Sequence, residues 1–379
     1  MDSPSRSAAL DQAYQAASRM LTAGVRDKVF PGASAAMGWC GERVLVQAGR
    51  LTYDPDSPAI RPRTLFDCAS LTKVVTTTTV AMMLVERGLL HLDAQIGDCL
   101  PEFLDADDAL AEERKNVTAR HLLAHTSGLP AYVRFYLRAR RPEHVLAEAM
   151  TLPLECPPGA KTVYSDVGFI LLGEVIARSA ERAASDAPKY MLDRFCAREL
   201  FRPLGMADTM FNPPLVRKDA IAPTERDDAF RHRLVQGEVH DENAWVMGGV
   251  APHAGLFSIA EDLANFCQFM LNQGSWNGQQ LIQPQTIREF TRYSAAQEGS
   301  PRGLGWDKPS APSSSGKYFS PASYGHLGFT GTSMWIDPEK QLYVVLLTNR
   351  IYPTRANEAI REFRPAFHDA VLEALRINN

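Results

Sequence analysis

The sequence predicts an α+β fold: an antiparallel sheet built from both chain ends, flanked by the terminal helices, with an all-α domain inserted between its halves. Three observations lead there. Strand-like apolar runs lie toward the two ends, at about 31–51 and 325–348. From about 66 to 295 the apolar residues recur mostly with helical spacing. The chain also opens and closes on amphipathic helical patterns, at 6–27 and 356–377. Residues 1–65 and 296–379 are therefore expected to form one discontinuous α/β domain and residues 66–295 a helical one, with a site between them. There is no internal repeat.

In the first helix Leu10, Tyr14, Ala17, Leu21 and Val25 share a face. Two strands follow, in PGASAAMGWC and RVLVQAGRL, with Gly41-Glu42 as the turn. After Ser70, Val74, Thr78, Ala81 and Val85 form a helical stripe that Gly88 ends. Thr76 to Thr79 are four poor helix formers in a row, so this helix is expected to depend on burial. Further helices are expected at 118–125, 142–150, 167–184, 187–200 and 259–273. The last opens on the capping-box pair Ser258 and Glu261 and stops at Gly274. GHLGFTG, TSMWIDP and LYVVLLTN supply the C-terminal strands.

Composition narrows the function. With 379 residues, 45% hydrophobic and 22% charged, the chain can bury a substantial core. A net charge of −4 without a basic block argues against a nucleic-acid partner. The basic stretch Arg134–Arg141 reads as a solvated helix face. No apolar stretch approaches the length of a membrane span. The start lacks a cationic segment followed by an apolar run, and six cysteines are scattered without C-x-x-C spacing. The expectation is a cytoplasmic protein with reduced thiols. No cofactor or metal is expected. His121 and His125 are four apart but lack the glutamate of a zincin helix, and neither a Walker loop nor a dinucleotide fingerprint occurs. Nothing indicates an oligomeric state.

Chemistry concentrates in three motifs. Ser70-Leu71-Thr72-Lys73 places a serine and a lysine one turn apart on one helix face, the hydroxyl at the helix N-terminus. A lysine there can share the serine's proton. A second tetrad, Ser314 to Lys317, lies in a Ser/Pro/Gly run that reads as a loop. Tyr164-Ser165-Asp166 precedes a helix; its phenol becomes a base only if cations such as Lys73 lower its pKa. His326-Leu327-Gly328-Phe329 opens a strand whose glycines allow close backbone approach. Such an edge can supply an oxyanion N–H together with that of Ser70. A competing H-x-G, at His253, reads as a loop. No G-x-S-x-G elbow appears.

In this order the three motifs resemble the serine β-lactamase and penicillin-binding protein superfamily, and the tyrosine points to its class C-like branch. HLLAHTSGLP, GGVAPHAGLFSIAEDLANF and GHLGFTGTSMWIDPE resemble recurring blocks of that family, so the likeness spans roughly 15–375. It implies a β-lactamase/transpeptidase-like fold, Ser70 as nucleophile, Lys73 as its proton partner, Tyr164 as base and the N–H of Phe329 as the second oxyanion donor. Asp166 stands where the family usually has asparagine, and His326 where β-lactamases and DD-peptidases usually have lysine. Neutral histidine favours neutral acyl substrates, although Arg350 or Arg355 is a possible carboxylate-binding cation. The expectation is a cofactor-free serine hydrolase acting through an acyl-enzyme on a small-molecule ester or amide, foremost a carboxylesterase on neutral esters, with acyl transfer as a side activity. A DD-carboxypeptidase or weak β-lactamase is the alternative, and a ligand-binding or sensor-like protein on the same scaffold is the non-enzymatic one.

Overall fold

Five antiparallel strands make the central sheet, in the order Tyr324–Leu327, Ser333–Asp337, Leu342–Thr348, Gly32–Trp39, Glu42–Gly49. The two chain ends meet at its centre, where Ala35 faces Leu346. In this computed structural model residues 6–107, 109–182, 191–294 and 300–376 are described. The end of the expected 167–184 helix, the start of that at 187–200 and the domain boundary at 295–296 lie outside them. The first hairpin turns one residue earlier than expected. Cys40 and Gly41 both take positive φ, a two-residue turn joining Trp39 to Glu42.

LYVVLLT is apolar throughout rather than alternating because both sheet faces are covered. Leu342, Val344 and Leu346 pack on the terminal helices Arg6–Arg26 and Ile360–Ala374. Tyr343, Val345 and Leu347 join the larger core beneath the inserted region. Each such side chain contributes about 1.5–3 kcal/mol when fully buried.

The inserted region is mostly helical but also carries a small sheet, Phe66–Asp67, Leu256–Ser258 and Met210–Phe211. Ser258 ends its middle strand and spends its hydroxyl on Thr209 (2.7 Å), so the expected capping box does not form. The helix there is Ala260–Leu271, entered from Ile259. The expected 118–125 helix closes at Leu123, and His125 takes a φ of 57°. The threonine run is buried as expected. Lys73–Thr78 is π-helical and continues as the α-helix Thr79–Glu86. The hydroxyls of Thr76, Thr77 and Thr79 donate to the carbonyls of Thr72, Pro252 and Val74, while that of Thr78 is buried without a partner among the described residues. A π-helical stretch of this kind is frequent at functional sites. Gly88 has the expected left-handed φ of 66°.

Among the described residues no helix is long and apolar enough to cross a membrane, and no group of His, Cys, Asp and Glu could hold a metal. All six cysteines are free thiols.

Candidate active site

The small sheet delivers the chain to Ser70. Cys68 donates its N–H to the Leu256 carbonyl (2.8 Å), and Ala69 then takes a φ of 47°. That conformation is strained for a residue with a Cβ. Buried Asp67 holds it: one carboxylate oxygen accepts from the Ala69 N–H (2.8 Å), the other from the His240 N–H (2.7 Å). Burial raises the Asp67 pKa, with those two N–H groups opposing. Ser70 is thereby presented to a cavity of about 1130 Å³, which Tyr164, Asp166, Arg302, His326 and Phe329 also line.

Lys73 is fully buried, and its ammonium has two hydrogen-bond acceptors and one ion partner. Nζ lies 3.0 Å from Ser70 Oγ, 3.0 Å from the His253 carbonyl and 2.7 Å from Asp166 Oδ1. The first two contacts are hydrogen bonds; the third is an ion pair whose Oδ1 is not aligned for one. Burial works against the charge, but Asp166 and Tyr164 outweigh it and the Lys73 pKa is raised. The His253 loop therefore belongs to the site through its backbone, and its ring is tied to Asp241 (3.1 Å).

Tyr164 stands over this cluster, with Lys73 Nζ 5.0 Å from its ring centroid. Hydrogen bonding with Lys73 and Ser70 pulls its pKa down, yet burial is the larger effect and the pKa ends up raised. Tyr164 is thus a neutral phenol near pH 7, unlike the cation-activated base expected from the sequence. The His125 ring lies 4.6 Å away, and His125 Nδ1 accepts from the Ser165 N–H (2.9 Å). Ser165 Oγ in turn caps the helix Asp166–Arg182 by accepting from the Gly168 N–H (2.9 Å). The HLLAHTSG block is the floor under Tyr164.

The third motif is sewn to the first. Thr330 and Thr332 donate their hydroxyls to the carbonyls of Asp67 (2.7 Å) and Cys68 (3.0 Å), the residues leading into Ser70. Buried Arg364 donates to the Gly328 and Thr332 carbonyls. At Gly328 a Cβ would collide with Thr332 and stand 2.6 Å from the Cys68 carbonyl, so only glycine fits. Among the described residues the N–H groups of Ser70 and Phe329 enter no backbone hydrogen bond. Two free donors beside a hydroxyl have the form of an oxyanion site.

The remaining predicted residues have other partners. Arg350 donates to the carbonyls of Phe329 (2.9 Å), Arg355 (3.1 Å) and Asn357 (2.6 Å). Arg355 is paired with Glu225 (2.7 Å) and Glu242 (2.6 Å). Both guanidiniums line the cavity and also brace the protein's own loops. The Phe329 ring, 48% exposed, stacks on His240 at 5.6 Å. His326 is buried; Nδ1 donates to the Leu327 carbonyl (2.7 Å), and burial drives its pKa down to about 4. The second tetrad lies in a loop, remote from the cavity lining. Sequence reasoning missed Asp67, Arg364 and Arg302, whose guanidinium lies 4.9 Å from the Tyr164 ring centroid. No spacing rule links these residues to Ser70.

Residues 17–365 match the family model described as Beta-lactamase. A protein of Escherichia coli K12 described as "Putative D-alanyl-D-alanine carboxypeptidase" is 34% identical over 310 residues, 76% of this chain and 69% of that one. Among solved structures, a penicillin-binding protein homolog from Caulobacter crescentus superposes with a TM-score of 0.73 at 20% identity, covering 98% of both chains. EstCE1, a hydrolase with promiscuous acyltransferase activity, superposes with a TM-score of 0.75 at 20% identity, covering 95% of this chain and 98% of that one. The fold, the Ser70 and Lys73 cluster and the match over nearly the whole chain lead to one conclusion: this chain belongs to the β-lactamase family and is a serine hydrolase of the β-lactamase and penicillin-binding protein superfamily.

Proposed function

We propose that this hydrolase is a DD-carboxypeptidase-type enzyme, removing the terminal amino acid of a peptide through an acyl-enzyme on Ser70. The carrying observation is the ion pair of buried Lys73 with Asp166, beside its hydrogen bonds to Ser70 and the His253 carbonyl. It keeps Lys73 an ammonium that stabilises negative charge rather than a base. As Ser70 attacks the carbonyl carbon, its proton passes to the Tyr164 oxygen, and Tyr164 hands its own proton to the departing nitrogen. The N–H groups of Ser70 and Phe329 hold the oxyanion. Water then repeats the sequence on the acyl-enzyme and restores the serine. The 34% identical E. coli protein supports the peptide substrate, ahead of the neutral ester expected from the sequence. The uncharged ring of His326 favours the ester as a second reading.

The test is a direct comparison. The enzyme is incubated with a peptide ending in D-alanyl-D-alanine and with a p-nitrophenyl ester, and D-alanine release and nitrophenolate are followed. Release of D-alanine at the higher kcat/KM, lost in Ser70→Ala, is expected. Ester turnover without D-alanine release makes the protein a carboxylesterase.

A further inference from the structure

We propose that Arg302 and His326 form the subsite for the leaving amino acid, Arg302 receiving its free carboxylate and His326 accepting its N–H. The inference rests on the carboxypeptidase reading and assigns the residues that select the substrate.

The cavity wall is rich in arginine, but most of it is engaged. Arg350, Arg355 and Arg364 hold backbone carbonyls or internal carboxylates, and Arg361 is paired with Glu358. Arg302 differs. Its guanidinium lies over the Tyr164 ring, so it borders the group that protonates the leaving nitrogen. Its ion partner is Asp307, 2.5 Å from Nη1, and neither that nitrogen nor that oxygen is aligned for a hydrogen bond. A guanidinium has five N–H donors in a fork that matches a carboxylate. The backbone holds Arg302 in place: its carbonyl accepts from the Ser294 N–H (2.7 Å), and residue 302 bridges residue 307, which pairs with Gly325 beside His326.

His326 supplies the complementary group. A carbonyl can only accept, so the contact with Leu327 places the ring proton on Nδ1. Nε2 is left as a lone pair, buried and without a partner. Its ring lies 5.7 Å from that of Tyr164. Tyr164 is thus flanked by a cation and by a hydrogen-bond acceptor. A peptide's terminal residue carries a matching pair, the N–H of the scissile amide and a carboxylate one carbon away. An ester lacks the first group, and a C-terminal amide lacks the second.

The experiment compares wild type with Arg302→Gln and Arg302→Lys on two matched pairs. One pair is a D-alanyl-D-alanine peptide with a free or an amidated C-terminus. The other is 3-carboxyphenyl acetate against phenyl acetate, which carries the anion on the leaving group without requiring peptidase activity. In wild type the anionic member of each pair is expected to be preferred. Arg302→Gln should lower kcat/KM for the anionic member of each pair about 10- to 100-fold more than for its neutral partner. Arg302→Lys should restore part of the loss, since it returns the charge without the fork. A urea unfolding midpoint matching wild type shows that the variant is folded. If neither peptide is cleaved but the carboxyphenyl ester keeps its Arg302-dependent advantage, the carboxypeptidase reading fails and the subsite stands. Equal losses on charged and neutral substrates, or no loss on either, would overturn the subsite.

Discussion

Replacing Asp166 by asparagine removes the charge that, among the described residues, neutralises Lys73 and keeps a neutral oxygen in its place. At 2.7 Å and an effective dielectric of about 20, the Coulomb attraction lost is about 6 kcal/mol. Lys73 is fully buried, and its two hydrogen-bond acceptors, Ser70 Oγ and the His253 carbonyl, are neutral. Burial, already the largest influence on this lysine, is then unopposed by that charge, and its pKa falls. The sign with pH follows. In wild type the raised pKa contributes stability below the lysine's unfolded value, and this is lost as pH rises through the raised folded value. In Asp166→Asn the folded value lies lower, so a penalty of about 3–5 kcal/mol is present while the lysine stays charged and is relieved as it deprotonates. Urea unfolding across about pH 6–9 reads this difference. Activity separates the possible roles of Lys73. If it serves as an ammonium, the alkaline fall of kcat/KM moves to lower pH in the variant. A variant as fast as wild type or faster at neutral and alkaline pH would refute the assignment, because it would mean that neutral Lys73 is the base.

Other consequences are as direct. Tyr164→Phe should slow peptide cleavage about 10²- to 10⁴-fold and p-nitrophenyl ester acylation less, measured as pre-steady-state bursts, because both lose the acceptor of the Ser70 proton but only the amine also needs a proton delivered; equal losses on both would remove Tyr164 from leaving-group protonation. Neutral buried His326, with a pKa near 4 against about 6.5 unfolded, contributes stability that is complete above about pH 6.5 and lost as pH falls toward 4, up to about 3 kcal/mol. His326→Gln should therefore unfold with a flatter pH dependence over that interval, and parallel urea curves would contradict it. Arg364→Met leaves the Gly328 and Thr332 carbonyls without that donor and should cost about 1–3 kcal/mol. It should also lower kcat more than it raises KM, since the Phe329 N–H follows Gly328 in the chain; an unchanged kcat would separate that buried guanidinium from the oxyanion site.

What could be read in advance was whatever repeats along the chain. The two-ended sheet was legible because strand runs lie near both termini, and the motif spacing placed Ser70 and Lys73 on one turn. Boundaries were less legible. The Ser258 hydroxyl looked like a cap but serves Thr209, a partner 49 residues away that no local pattern reveals. Tyr164 shows the same limit in the electrostatics. Its neighbour Lys73 was visible and its effect has the expected sign, yet burial, which depends on the whole cavity, decides the net direction. Arg302 and Arg364 were invisible because their roles come from contacts across the fold, with Tyr164 and with the 328–332 turn.

The pairing of Lys73 with Asp166 also constrains the route of the proton. An ammonium has no lone pair for the Ser70 proton, and a neutral phenol is a weak base. Neither group alone can take the proton and keep it. Tyr164 can take it only while giving up its own, so the step requires a leaving atom basic enough to receive a proton at that moment. An amide nitrogen meets the condition as its carbonyl becomes tetrahedral, whereas the oxygen of an activated ester has little need of it. Aspartate at position 166 therefore does more than alter a contact. It fixes Lys73 as the charge that stabilises both the serine oxygen and the phenolic oxygen during the transfer, and it makes the acid half of the relay as important as the base half. In the proposed subsite a cation and an acceptor near Tyr164 select which leaving group reaches that proton.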